Sequence, residues 1–310
     1  MAAADVEDIV ERRRLRRRLS LWRGLFVLAA ALALMALFWQ GGNFEQYRPH
    51  VARLAISGLI TGDQKTLDLL DEIKDAKTVE ALLLRIDSPG GTTSGSEALY
   101  LKLREVAEKK PVVAVMDTVA ASGGYITALA ADHIVARGNT ITGSIGVIFS
   151  YPEFSDLMGK VGVKMEEIKS APLKAEPTPY KPLTPEVRAA TDLLVKDSFA
   201  WFKGLVTERR KLDAATVDRL ADGRVYTGRQ AVTEKLIDAV GGEAEARAWL
   251  ETEKKVAKSL PAADWQVAPA DATGLGFSLA NGAVKALGFE GWADAARRVQ
   301  LDGLLVVWHP

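Results

Sequence analysis

Residues 79–91, VEALLLRIDSPGG, and residues 111–124, PVVAVMDTVAASGG, decide the fold. Each opens on a nearly continuous apolar run, the pattern of a strand covered on both faces, and each ends on a glycine pair. An amphipathic stretch over 94–109 lies between them, so together they read as one strand–helix–strand unit. Working outward, residues 51–60 predict a strand and 64–76 a helix. Downstream, a helix from 122 to about 131 precedes shorter strands near 133–136, 145–149 and 165–169. Residues 87–91 (DSPGG) read as a turn. The alternation predicts an α/β fold of stacked βαβ units, with no internal repeat.

Residues 171–183 (APLKAEPTPYKPL) hold four prolines, which forbid a helix and predict a stiff extended loop. Thr184 and Pro185 then form a helix start, N-cap and first position, for an apolar stripe running to about Arg210. A short helix over 214–220 and a turn-rich stretch over 222–230 follow. Residues 261–310 carry Gly, Ala and Trp without a clear period and are taken as a C-terminal extension.

The 310 residues balance 40 Lys+Arg against 40 Asp+Glu, with 48% hydrophobic and 26% charged residues, an ordinary globular composition. There is no basic excess of the kind nucleic-acid binders show. The absence of cysteine excludes disulfides, thiolate nucleophiles and Cys-based zinc sites, and three histidines (His50, His133, His309) are few for any mechanism that needs several.

The N-terminus is polarised. Six of the seven residues from Arg12 to Arg18 are Arg, and residues 24–44 carry no charge. The apolar segment 21–40 has the ~20 residues that cover one hydrocarbon core at ~1.5 Å rise per residue. Trp22 and Trp39 stand at its ends, and the preceding arginines predict a cytoplasmic segment 1–20 with everything after the span translocated. The segment ends in Phe-Trp-Gln rather than a small-x-small site, which favours an uncleaved anchor over a signal peptide. A linker over 41–50 follows.

Two motifs carry chemistry. Ser122, in Ala-Ser-Gly-Gly, sits where a buried strand turns into a helix; such a turn exposes the hydroxyl at the sheet edge beside free backbone N–H groups. The 87–91 turn aims further N–H groups at the same cleft, as an oxyanion hole requires. Taken alone, each motif is equally well a helix cap or a plain turn; together they favour acyl chemistry. The serine needs a base. His133 lies at the far end of the helix that Ser122 opens, roughly 15 Å away at ~1.5 Å per residue, so a Ser-His-Asp triad lacks support. A lysine can serve if burial lowers its pKa from ~10.4 to about 7, at a cost on the order of 4–5 kcal/mol. Spacing alone does not choose which lysine.

Five ordered motifs, Asp87-Ser-Pro-Gly-Gly, Ser122-Gly-Gly-Tyr, Thr142-Gly-Ser-Ile-Gly-Val-Ile148, Lys169-Ser170 followed by Lys174, and Asp222-Gly-Arg-Val-Tyr-Thr-Gly-Arg-Gln-Ala231, resemble those of bacterial signal peptide peptidase A. The resemblance covers about residues 50–255 plus the anchor. It implies a crotonase/Clp-like fold, a peptidase domain over 51–260 and a Ser/Lys dyad without metal or cofactor. By motif match, Ser122 is the nucleophile, Lys174 its general base, Ser144 the hydroxyl that orients the lysine, and Gly91 and Gly123 the oxyanion-hole amides. Ala175 stands where the family often has an acid after the lysine, which keeps Lys169 and Lys181 as alternatives. The resemblance further implies remnant signal peptides and other hydrophobic peptides as substrates, cut in extended conformation, at the outer face of the cytoplasmic membrane. It also implies a homo-oligomeric ring, an octamer in single-copy members, with serine and lysine from adjacent protomers. A crotonase-like acyl-CoA enzyme and a non-catalytic membrane scaffold of the same fold are the alternatives.

Overall fold

The computed structural model describes residues 18–19, 21–31, 44–267 and 304–307. The chain divides into two compact units after Tyr47. In the first, residues 21–31 are helical, with Trp22 and Phe26 exposed. Residues 32–40 of the expected anchor lie outside the described residues, and among those described no helix is long and apolar enough to cross a membrane.

The second unit is a mixed α/β domain. Its described elements are β1 (His50–Ile60), α1 (Gln64–Asp75), β2 (Val79–Thr92), α2 (Thr93–Lys109), β3 (Val112–Ala121), α3 (Gly123–Leu129), β4 (His133–Ala136), β5 (Ile141–Gly143), β6 (Ile148–Phe149), α4 (Ser155–Lys160), α5 (Pro185–Arg210), α6 (Ala214–Leu220), β7 (Val225–Thr227), α7 (Gly228–Thr233), β8 (Ala239–Val240), α8 (Glu243–Glu253), β9 (Ala262–Trp265) and β10 (Leu304–Val307). The apolar run of β2 is buried on both faces, as its sequence requires. Leu82, Leu84 and Ile86 face one core with Leu70, Leu103 and Phe202 from α1, α2 and α5. The alternate residues Ala81 and Leu83 face a smaller core with Val113, Val115 and Leu250 of α8. Period-two alternation thus fills both sides of one sheet with helices.

Strand β2 runs parallel between β1 and β3, and β3 continues parallel to β4. Side-chain caps fix the helix starts: Asp63 accepts from the Thr66 N–H at 3.0 Å, Thr92 from Gly95 at 3.0 Å, and Thr184 from Val187 at 3.3 Å, with Pro185 at the first helical position.

Three local readings change. Residues 87–91 are not a turn: β2 runs through them, with a register irregularity beside each neighbour, because β1 pairs with it as far as Ile60 opposite Gly91. Only Ile148–Phe149 of the stretch 145–149 is a strand, and the unexpected β5 precedes it. Residues 165–169 form no strand; Met165 and Ile168 are exposed, and no described strand pairs with them. Beyond residue 260, β9 extends the sheet parallel to β1. There Arg53 of β1 bridges Glu243 at 3.1 Å and Asp264, which hold its guanidinium well above the ordinary range, chiefly through the Asp264 hydrogen bond.

Leu84→Ala, at a site with no exposed surface, is expected to lower the unfolding free energy by ~2–5 kcal/mol in urea titration. The exposed Glu80→Ala on the same strand should stay within about 0.5 kcal/mol of the parent.

Candidate active site

Strand β3 pairs with β2 as far as Ala120 opposite Ser88, while its other edge pairs with β5 from Val119 opposite Ile141 to Ala121 opposite Gly143. The chain reverses at the next residue. Ser122 has φ 54° and ψ −115°, outside the regions open to an unstrained L-residue. Its N–H donates to Gly143 O at 2.9 Å, and its carbonyl accepts from Ile126 N at 2.9 Å, opening α3. This is the geometry of a nucleophile elbow, a sharp strand-to-helix turn led by a serine. Positive φ at a non-glycine residue costs of order 1–3 kcal/mol and marks functional positions.

Ser144 occupies the matching place on the neighbouring strand, one residue past Gly143, and also has positive φ (49°). Its N–H donates to Arg224 O at 2.8 Å, which ties it to the 222–230 stretch. Gly143, at φ 81°, must lack a side chain: a Cβ there would lie 2.6 Å from the Tyr226 ring. The parallel β3–β5 pair therefore brings the two serines to adjacent strand ends. A cavity of about 350 Å³ opens beside Ser144, walled by Ile145, Val147, Phe199 and Asp222.

The expected solvent-facing hydroxyl is a correction. Ser122 is 1% exposed, and its Oγ has no hydrogen-bond partner among the described residues. Ala121, Gly123 and Gly124 around it are buried as well. A buried hydroxyl without a partner is costly and uncommon, and a reactive role is one reason to retain it.

The glycine pairs serve packing. Gly90 has φ 114°. A Cβ on Gly91 would fall 1.8 Å from Ile60 O, so its absence lets β1 close on β2. A Cβ on Gly124 would fall 2.6 Å from Ser88 O, so that glycine seats α3 on β2 rather than admitting a ligand. Ser88, not singled out in the sequence, pins this stretch: its Oγ donates to Gly58 O at 2.6 Å and accepts from Gly90 N at 3.1 Å. Gly123 opens α3, and the N–H at that position has no intrahelical acceptor.

The three lysines differ in their surroundings. Lys169 donates to Glu176 at 2.6 Å and bridges Glu167 at 3.2 Å; the Glu176 hydrogen bond holds its ammonium above the ordinary lysine range. Lys181 pairs with Glu167. Lys174 is exposed on the proline-rich loop and has no side-chain hydrogen bond or ion pair among the described residues, although its N–H donates to Ala171 O at 3.1 Å. Within one chain, then, Lys174 does not reach Ser122.

The histidines stand elsewhere. His133 stacks on Trp249 with centroids 4.7 Å apart, and burial pushes its imidazole below the ordinary value. His50 is buried, accepting at Nε2 from Trp265 Nε1 at 3.0 Å, which leaves Nδ1 to donate to Arg48 O at 2.8 Å. His309 lies outside the described residues.

Residues 104–257 match the model of peptidase family S49. A putative protease of Synechocystis is 41% identical over 211 residues, 66% of this chain and 74% of that protein. A putative signal peptide peptidase SppA of Enterococcus faecium is 33% identical, over 66% of this chain and 64% of that protein. Protease 4 of Haemophilus influenzae is 34% identical over 57% of this chain and 29% of that protein. The chain thus spans under two thirds of the latter two relatives' length.

Because the turn at Ser122 is strained for any side chain, Ser122→Gly is expected to be about 1 kcal/mol more stable than Ser122→Ala in paired denaturant titrations. Equal stabilities, or a less stable glycine variant, would remove the strain from the account.

Proposed function

We propose that this chain, which belongs to the signal peptide peptidase A family (peptidase family S49) and is therefore a serine protease, works through Ser122 as nucleophile and Lys174 as general base. The carrying observation is the buried, unpartnered Ser122 hydroxyl on a strained turn beside Ser144. Neutral Lys174 Nζ takes the Ser122 proton as Oγ attacks a peptide carbonyl. The Gly91 and Gly123 N–H groups stabilise the oxyanion, and Ser144 orients the lysine. The lysine passes the proton to the leaving amine, then takes one from the water that releases the acyl-enzyme.

The lysine comes from a second copy in this reading. Lys174 is exposed in its own chain, and the loop segments around it present Phe154, Leu157, Val163, Ile168 and Leu173 to solvent, an apolar surface of the kind that interfaces bury. Packing against a neighbour takes the amine out of water, which favours its neutral form. Repeated around a ring, each pairing of loop with serine is head-to-tail, and closure makes the homo-oligomer, an octamer by family resemblance. Segment 21–40 anchors the chain in the cytoplasmic membrane with the arginines inside, which sets the catalytic domain on the outer face, where remnant signal peptides and other hydrophobic peptides are the substrates.

Ser122→Ala and Lys174→Ala are each expected to lower peptide hydrolysis by roughly 10³-fold or more. When the two variants are co-assembled at equal amounts, pairing between chains restores about a quarter of the sites, since each working site takes its serine from one variant and its lysine from the other. Co-assembled particles with no activity would assign both groups to one chain.

A further inference from the structure

We infer that Asp222 is a positioning residue for the proposed reaction: it clasps Arg224 so that the Arg224 carbonyl holds Ser144 in the strained conformation from which its hydroxyl orients the lysine. The inference rests on the reading of Ser144 as the residue that orients Lys174. Ser144 follows the last residue of β5 and has φ 49°. A non-glycine residue in that region persists only where its surroundings hold it. Among the described residues the Ser144 Oγ has no hydrogen bond, so the backbone alone aims it. The bond that fixes this backbone runs from Ser144 N–H to Arg224 O, 2.8 Å. It continues by one residue the antiparallel ladder of β5 and β7, in which Ile141 faces Thr227, Thr142 faces Tyr226 and Gly143 faces Val225.

A turn ahead of β7 places the Arg224 carbonyl. Gly223 takes φ 86°, and the Asp222 carboxylate accepts from the Arg224 N–H at 3.1 Å and from its Nε at 2.9 and 2.7 Å. One side chain thus grips residue 224 by its backbone, as in an Asx turn, and by its guanidinium. The rest of the 222–231 motif secures the other end of β7. Thr227 and Gln230 form a capping box at the start of α7, a Cβ on Gly228 would fall 2.1 Å from Arg137 O, and Arg229 donates to Asn139 in the loop before β5. Asp222 and Arg224 are both exposed, and an exposed ion pair adds little to stability. The clasp therefore acts on geometry. It ends on the strained serine, one residue from the Gly143 carbonyl that accepts from the Ser122 N–H. Asp222 also walls the cavity beside Ser144, which makes contact with substrate the competing outcome of the test.

The test follows hydrolysis of a fluorogenic hydrophobic peptide by the full-length, detergent-solubilised assembly. Asp222→Ala is expected to lower kcat about tenfold, with KM within about twofold and Tm within about 2 °C of the parent. Asp222→Asn keeps an oxygen that accepts from the Arg224 N–H, and should return kcat to within about threefold of the parent. The decisive readout is the pair with Ser144→Ala. A residue that works only through that hydroxyl has nothing left to position once it is gone, so adding Asp222→Ala to Ser144→Ala should change kcat by less than about twofold. Four results would each overturn the inference: a further loss of about tenfold in that double variant, parental kcat in Asp222→Ala, a raised KM at unchanged kcat, or an asparagine variant as slow as the alanine one. Should Asp222→Ala fail to assemble, Asp222→Glu takes its place. It keeps the charge but sets the carboxylate one methylene further out, so it should be slow where Asp222→Asn is not, and parental kcat in it overturns the clasp. A parent assembly that hydrolyses no peptide overturns the peptidase reading and the inference with it, whereas an active parent indifferent to Asp222 overturns the inference alone.

Discussion

The divergence of β3 from β2 is the constraint on which the rest of the site depends. Up to Ser88 and Ala120 the two strands are ordinary neighbours in a parallel sheet, buried on both faces by leucine, isoleucine and valine. Past that pair β3 ends, its other edge already held by β5 from Val119 onward. That ending puts Ser122 at a turn held by Gly143 O, sets Ser144 beside it, and leaves the edge of β2 at Gly90–Thr92 free of β3. Neither serine has a relaxed backbone, and the surrounding packing holds both: Tyr226 presses on Gly143, and Ile60 on Gly91. The strain is sustained by a core that would otherwise have no use for it.

Much of this was legible in the sequence where a local pattern coincides with the final contacts. The runs 81–86 and 112–116 read as doubly covered strands because helices do cover both faces. Thr184-Pro185 marked the start of the long helix because capping is settled within one turn. The reading failed where partners are distant. Residues 87–91 carry turn-forming residues, yet pairing with β1 keeps them extended. Residues 165–169 look like a strand but have no described neighbour to pair with. The strands β9 and β10 lie in a stretch with no period of its own, and only their partners, β1 and β2, make them strands.

The candidate site divides the same way. Ser122 and Ser144 stood out through their motifs, and the β3–β5 pairing makes them neighbours. Gly91 and Gly124 also meet a packing demand that their motifs do not reveal, since a side chain on either would strike the backbone of β1 or β2. Burial of the Ser122 hydroxyl was not legible, since it depends on the segments that converge on the turn. Lys174 is marked in the sequence by the family motif alone. The fold distinguishes it from Lys169 and Lys181, which already hold carboxylates, and its exposure in the single chain is what the pairing of copies would remove.

With no histidine at Ser122 among the described residues, the proposed mechanism takes its proton transfer from an amine, and an amine is a base only when water is kept from it. Labelling of the full-length, detergent-solubilised assembly by a fluorophosphonate, with the modified residue read by mass spectrometry, tests this most directly. The account predicts that Ser122 is labelled in the parent protein and that labelling is lost in Lys174→Ala while the assembly keeps its mass. Labelling of Ser122 at the parent rate without Lys174 would contradict it.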